Sequence, residues 1–188
     1  MSISNKIILA SQSPRRKQLL EWAAIDFDVV VADTDESYPP GLSFTEAAIH
    51  IAQNKALTVS KMHPSASTIL AADTIVVCDD RLIGKPADRA SAIEILGFLS
   101  GKKHEVITGV YIQKGTEEIA FADITEVSFH PLTQEQIEFY VDHYQPYDKA
   151  GAYAIQEWIG VVGIASIRGD FYNVMGLPVS RVVKALQT

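Results

Sequence analysis

Residues 6–16 read KIILASQSPRR, and the change of character inside this stretch decides the fold. Lys6 to Ala10 is a short apolar run of the kind that forms a buried strand. Ser13-Pro14 then supplies a helix N-cap and a proline at the first helical position. The pattern predicts a helix from there to about Ala24. A buried strand that runs directly into a helix is the opening of an α/β unit.

The same alternation continues outward. Phe27 to Ala32 reads as a second strand, Thr45 to about Met62 as a helix, and Ile69 to Val77 as a strand interrupted by Asp73. Asp79-Asp80-Arg81 has the look of a hairpin turn leading into a short strand, Leu82 to Gly84. Asp88 caps a helix whose Ala92, Ile95, Leu96 and Leu99 share one face. Glu105 to Gln113 and Ile119 to Phe129 alternate as paired strands joined at Lys114-Gly115. Thr133 and Gln136 form a capping box ahead of Ile137, Tyr140, Val141 and Tyr144. Gly160 to Ile167 reads as a strand, and Pro178 opens a last helix carrying Val179, Val182, Val183 and Leu186. The expected class is α/β, a mixed sheet flanked by helices. No linker or repeat divides the chain, so residues 1–188 are expected to form a single domain, two small lobes being the next arrangement in line.

Composition bounds the function. The chain has 188 residues, 47% hydrophobic and 21% charged, which excludes disordered and low-complexity scaffolds. Its one cysteine, Cys78, rules out an intramolecular disulfide and a four-cysteine zinc site. No apolar run approaches the roughly 20 residues of a membrane span. The first apolar stretch ends at Ala10, short for a secretory signal. A cytoplasmic protein with no membrane partner is the expectation. The net charge of -7 speaks against a long nucleic-acid partner, which needs a basic footprint. It says less about a small anion, because local field in a site outweighs the sum over the chain.

Five segments carry chemistry. In Ser11-Gln12-Ser13-Pro14-Arg15-Arg16, two arginines in the first helical turn oppose the helix dipole. Either they pair with nearby carboxylates, or an anion sits at the helix N-terminus and resolves the conflict. Lys55 falls inside the apolar stripe formed by Ile51, Ala52, Ala56 and Val59, so it must snorkel out, the commoner outcome, or meet an anion. Asp73 lies in an apolar strand, where a carboxylate is costly without a partner. It serves as a structural acceptor, a catalytic carboxylate or a metal ligand, with Thr74 next to it and Lys85 of Gly84-Lys85-Pro86 beyond the hairpin. The acidic run Asp33-Thr34-Asp35-Glu36 follows a strand, a place where carboxylates hold Mg²⁺ or are simply solvated. Finally, residues 148–156, DKAGAYAIQ, mix charge, small residues and Gln156, whose amide both donates and accepts and so can pair with a base edge. The histidines have no metal-ligand spacing, and Walker A, GxGxxG and GxSxG sequences are absent.

Taken together, LASQSPRR, DTDE, NKA at residues 54–56, AADTIV, GKP, DKAGAYAIQ and GDFYNVMGLP resemble the Maf family of nucleoside triphosphate pyrophosphatases, in the family's order and from Leu9 to Pro178. The resemblance implies an elongated mixed sheet, two lobes with a central nucleotide-binding cleft similar to that of inosine triphosphatases, and hydrolysis of a nucleoside triphosphate to the monophosphate and pyrophosphate. Arg15 after SP, Thr74 and Gln156 resemble the subgroup acting on dTTP and UTP, and in that subgroup these three are the specificity positions. Asp73 is by the same likeness the proton acceptor. The roles that follow are Glu36 and Asp73 on Mg²⁺ or Mn²⁺, Asp73 as general base, and Arg16, Lys55 and Lys85 on the triphosphate. Ser11 and Ser13 add neutral donors, and Lys149, oriented by Asp148, lies near the phosphates. Pyrophosphatases of inosine or 7-methyl-GTP type, and a non-enzymatic regulator of septum formation, are the competing expectations. A homodimer is one assembly the sequence leaves open.

Overall fold

The computed structural model describes residues 6–187. The strands are β1 (Ile7–Ala10), β2 (Phe27–Val29), β3 (Thr68–Cys78), β4 (Arg81–Ile83), β5 (Lys103–Lys114), β6 (Glu117–Phe129) and β7 (Ile164–Arg168). The helices are α1 (Pro14–Trp22), α2 (Phe44–Met62), α3 (Arg89–Leu99), α4 (Gln134–Tyr144), α5 (Trp158–Gly163), α6 (Phe171–Val174) and α7 (Val179–Gln187). The sheet order is β2-β1-β3-β5-β6-β7, with β4 paired to β3. The chain separates into two compact units. The first holds the chain up to Thr74, Thr108–Asp123 and the residues from Gly176 on; the second holds Ile75–Ile107 and Ile124–Met175.

In the first unit β1 lies parallel to both β2 and β3, with Ile8 opposite Ile69 and Ala10 opposite Ala71. Ser13 caps α1, its Oγ accepting from the Arg16 N–H, and Pro14 takes the first turn. Helix α2 begins at a capping box made by Ser43 and Glu46, worth about 1 kcal/mol. It buries Ala47, Ala48, Ile51, Ala52, Ala56 and Val59. The alanines let it lie very close to the sheet. A Cβ placed on Gly109 of β5 would stand 2.2 Å from the carbonyl carbon of Ala48. Ala10, Ala52, Ala56, Val59, Ile69, Ala71 and Tyr111 form the core beneath this contact.

In the second unit, Asp79 and Asp80 adopt positive φ (50° and 58°) in the tight turn between β3 and β4. Asp88 and Ser91 cap α3, Thr133 and Gln136 cap α4, and Leu96, Leu99, Ile137, Tyr140 and Val141 are buried. Strand β7 pairs antiparallel with β6, and the register shifts between Ser128 and Phe129 of β6.

Two sequence expectations change. Asp73 does not interrupt β3, which runs unbroken through it. The apolar run from Gly160 to Ile167 divides into the end of α5 and the strand β7. A short apolar run fits a buried helix turn as well as a strand. Gly160 is tight against the preceding turn, where a Cβ would collide with the Ile155 carbonyl oxygen.

The packing at Gly109 gives a direct test. Gly109→Ala should lose about 3 kcal/mol or more, because the obstacle is helix backbone. Gly97→Ala, inside α3 with open space around its Cα, should gain up to about 1 kcal/mol. Urea unfolding of the two variants checks both signs.

Candidate active site

The centre of the first unit's polar cluster is the Lys55 ammonium. It emerges from the alanine face of α2 and donates to Asp73 Oδ1 at 2.6 Å and to Glu36 Oε1 at 2.7 Å. Lys55 and Asp73 side chains are 16% and 12% exposed, whereas Glu36 is 53% exposed. Lys55 therefore meets anions instead of snorkelling to water. The pairing also answers why an aspartate is tolerated in β3, since each charge neutralises the other where water is scarce.

Within the acidic run, the roles separate. Asp35 accepts from the Ser37 hydroxyl and backbone N–H, which hold its carboxyl below the usual carboxylate range. Glu36 alone of the four is shown reaching Lys55.

Arg16 is buried in the first turn of α1. Its Nε donates to the Gly176 carbonyl at 2.7 Å, one terminal nitrogen to Ser11 Oγ at 3.3 Å, and the other to Thr74 Oγ1 at 2.9 Å. Burial pulls its guanidinium down from its ordinary value, and the Asp73 charge opposes that. Guanidinium stays charged regardless. Three donor groups of Arg16 thus serve the protein itself. Arg15 differs: its Nε is buried with no hydrogen-bond partner in the protein, an uncommon state for a buried donor.

The hydroxyls here have a defined polarity. Ser11 Oγ accepts from Ser13 N–H and from Arg16, and Ser13 Oγ accepts from Arg16 N–H. Each keeps its own proton to donate. Thr74 Oγ1 accepts from Arg16 and lies 2.9 Å from Thr108 Oγ1. Thr108 was not foreseen from sequence; as a threonine in an apolar strand it gave no local signal.

The second unit holds Lys85, Lys149 and Gln156. The Gly151 N–H donates to the Gly84 carbonyl at 3.1 Å, which ties the Gly84-Lys85-Pro86 stretch to residues 148–156. Gly151 is left-handed (φ 74°) and packs against Val76, where a Cβ would stand 3.2 Å from a methyl. Ala152 is left-handed as well (φ 56°), at a cost of about 1 kcal/mol. Lys85 and Gln156 are exposed. Lys149 is 8% exposed and donates to Asp148 at 2.6 Å. Residues 170–173 do structural work in this unit. Asn173, fully buried, donates to the Val106 carbonyl and to Thr125 Oγ1, and Thr125 donates to the Asp170 carbonyl.

Two carboxylates, Glu36 and Asp73, share one bound cation, the Lys55 ammonium. Such a pair of hard oxygen donors suits Mg²⁺ or Mn²⁺, ions held by one or two carboxylates together with substrate phosphates. No group of three or more histidine, cysteine or acidic side chains placed to hold a metal occurs among the described residues. A closed all-protein metal cage is thus not what these donors offer.

Strand β1 feeding a capped helix with buried arginine, next to a lysine-bridged carboxylate pair, is the outline of an enzyme site for anionic, phosphate-bearing substrates. The chain belongs to the Maf family: the model described as Maf-like protein matches residues 6–188. A Cytophaga hutchinsonii protein named dTTP/UTP pyrophosphatase is 50% identical over 181 residues, covering 96% of this chain and 83% of that relative. Proteins of the same name from Bacteroides fragilis and Symbiobacterium thermophilum are 46% and 49% identical, covering 97% and 96% of this chain and 95% and 92% of their own lengths. Among solved structures, the Staphylococcus aureus Ham1 protein aligns with a TM-score of 0.45 and 16% identity over 66% of this chain and 72% of that one, too slight a likeness to carry weight. No described helix is long and apolar enough to cross a membrane.

His104 offers a pH test of the scaffold behind residues 148–156. It is 2% exposed, lies 2.7 Å from the Tyr153 hydroxyl through Nε2, and packs edge-on to Phe129 and Tyr153. Burial lowers its pKa from 6.5 to about 4. The folded protein therefore prefers neutral His104. Its contribution is complete above pH 6.5 and is lost as pH falls through about 4, while the unfolded chain protonates first. The stability gap between wild type and His104→Gln should shrink by about 2–3 kcal/mol from pH 7 to pH 4. A gap that stays constant in urea titrations at the two pH values rejects this assignment.

Proposed function

We propose that this protein hydrolyses dTTP and UTP to the monophosphate and pyrophosphate, with modified pyrimidine triphosphates as further substrates. The observation that carries an enzymatic reading is Asp73, a nearly buried carboxylate fastened to Lys55 and facing Glu36 through it. A binding protein has no need to hold that charge in an apolar strand. The direction toward dTTP and UTP comes from the near-full-length relatives that bear that activity in their names.

A divalent ion, Mg²⁺ or Mn²⁺, held by Glu36 and Asp73 would neutralise phosphate charge and lower the pKa of an attacking water. Asp73 takes the proton from that water as it adds to the α-phosphorus, and the bond to the pyrophosphate oxygen breaks. Lys55 keeps the two carboxylates together and offsets their mutual repulsion. Ser11 and Ser13 donate their hydroxyl protons to phosphate oxygens at the N-terminus of α1. Arg16 contributes its charge and holds Thr74 in place. Arg15 brings an unspent donor, and with Thr74 it reads the pyrimidine. In the second unit, Lys85 and Lys149 offer cations to phosphate, and the exposed amide of Gln156 pairs with the base edge.

Asp73→Asn should keep the fold and lose about 10²–10⁴ in pyrophosphate release, the range of a general base. Pyrophosphate release over a panel of canonical and modified triphosphates, with Mg²⁺ or Mn²⁺ added to chelator-treated protein, tests substrate and metal together. Turnover near normal in Asp73→Asn removes it from the mechanism, and equal rates on all bases remove the dTTP/UTP preference. Lys85→Ala should raise KM for the triphosphate with an unchanged melting temperature; unaltered kinetics would make it a surface lysine.

A further inference from the structure

Glu157 occupies the N-cap position of α5 yet makes no cap hydrogen bond with its side chain. Its side chain turns instead toward Tyr140 and Lys149. The Tyr140 hydroxyl donates to Glu157 Oε2 and accepts from the Ala154 N–H at 3.1 Å. Glu157 Oε1 lies 3.7 Å from Lys149 Nζ. Tyr140 is completely buried, and the Lys149 and Glu157 side chains are 11% and 23% exposed. Asp148, the other carboxylate on Lys149, is 58% exposed.

These contacts enclose one short segment. Ala154 is tied to Tyr140 through its N–H, and Glu157 is tied to Tyr140 through its carboxylate, so the two ends of residues 154–157 meet on one hydroxyl. Between those ends, Ile155 is buried and Gln156 is exposed. The same carboxylate that closes the segment faces the Lys149 ammonium. Being less exposed than Asp148, it acts on Lys149 through less screening water.

We propose that Glu157 is a positioning residue, which with Tyr140 sets where the Lys149 ammonium and the Gln156 amide are presented. The inference rests on the roles given above to Lys149 and Gln156. It explains why a charged acid stands here: glutamine could still accept from Tyr140 but would leave Lys149 with the exposed Asp148 alone. Displacements of an ångström in such groups change rates by up to about a hundredfold.

The test uses the full chain with Glu157→Gln, Glu157→Asp and Tyr140→Phe. Three quantities are read: melting temperature, KM and kcat for dTTP, UTP and dCTP, and the rate at which acetic anhydride acetylates Lys149, followed by mass spectrometry. Glu157→Gln should melt within a few degrees of wild type, acetylate Lys149 several-fold faster, and lose about tenfold in kcat/KM for dTTP, mostly through KM. Tyr140→Phe should narrow the preference for dTTP over dCTP. Glu157→Asp should recover part of the labelling protection and of KM. Wild-type kinetics together with wild-type labelling in Glu157→Gln overturn the proposal, as does a loss fully accounted for by unfolded protein. A wild-type protein inactive on dTTP and UTP would instead defeat the functional reading, and the Lys149 labelling rate then decides by itself whether Glu157 positions the ammonium.

Discussion

An aspartate in the middle of a buried strand needs a cation within reach, and the first unit is arranged around that need. Lys55 supplies it from beside the face of α2 made of alanines, Ile51 and Val59. Desolvating two charges is expensive, and only close contact recovers the cost. The close contact requires α2 to lie almost on the sheet. Small residues at Ala48, Ala52 and Ala56, and the missing Cβ at Gly109, make that approach sterically allowed. Packing and site chemistry are therefore one constraint here: a bulkier α2 face would hold Lys55 away from Asp73.

Arg16 obeys a related rule. A buried guanidinium must have acceptors on every side it turns to protein, and this one finds them on Ser11, Thr74 and the Gly176 carbonyl. It works as a brace that gives the neighbouring hydroxyls a fixed polarity. Under the proposed function, ligand contact falls to the exposed or partly exposed groups around it, among them Arg15 and Glu36. The second unit repeats the division of labour with other residues. Buried Tyr140 holds the Ala154 N–H, buried His104 meets the Tyr153 hydroxyl, and Lys85 and Gln156 stand in solvent.

Much of this was legible in the chain. The run from Lys6 to Arg16 announced strand, cap and helix because each residue has a local preference that agrees with its neighbours. The cap at Asp88 and the box at Thr133 were visible for the same reason. Asp73 and Lys55 stood out as charges in apolar company, although nothing local said they were partners, 18 residues apart. What escaped notice depends on distant contact. Residues 160–167 carried an apolar run that suits two structures, and the choice lay with Gly160 against Ile155. Tyr140 reads from sequence only as part of an apolar helix face and Glu157 gives no local signal; folding brings them together. Gly109 resembled any strand glycine until the helix beside it was seen.

The bond from Arg16 to the Gly176 carbonyl spans 160 positions of sequence. Synthesis runs from N- to C-terminus, so Arg16 waits for 160 further residues before its most distant acceptor is made. The strand-to-helix turn that carries the arginines can form early, since its cap and proline are local. Its brace cannot close until Gly176 has been made. The second unit, drawn from Ile75–Ile107 and Ile124–Met175, has by then its full complement of residues. For the start of α1, closure thus runs opposite to translation: a motif made 160 positions before Gly176 is secured only once Gly176 is there.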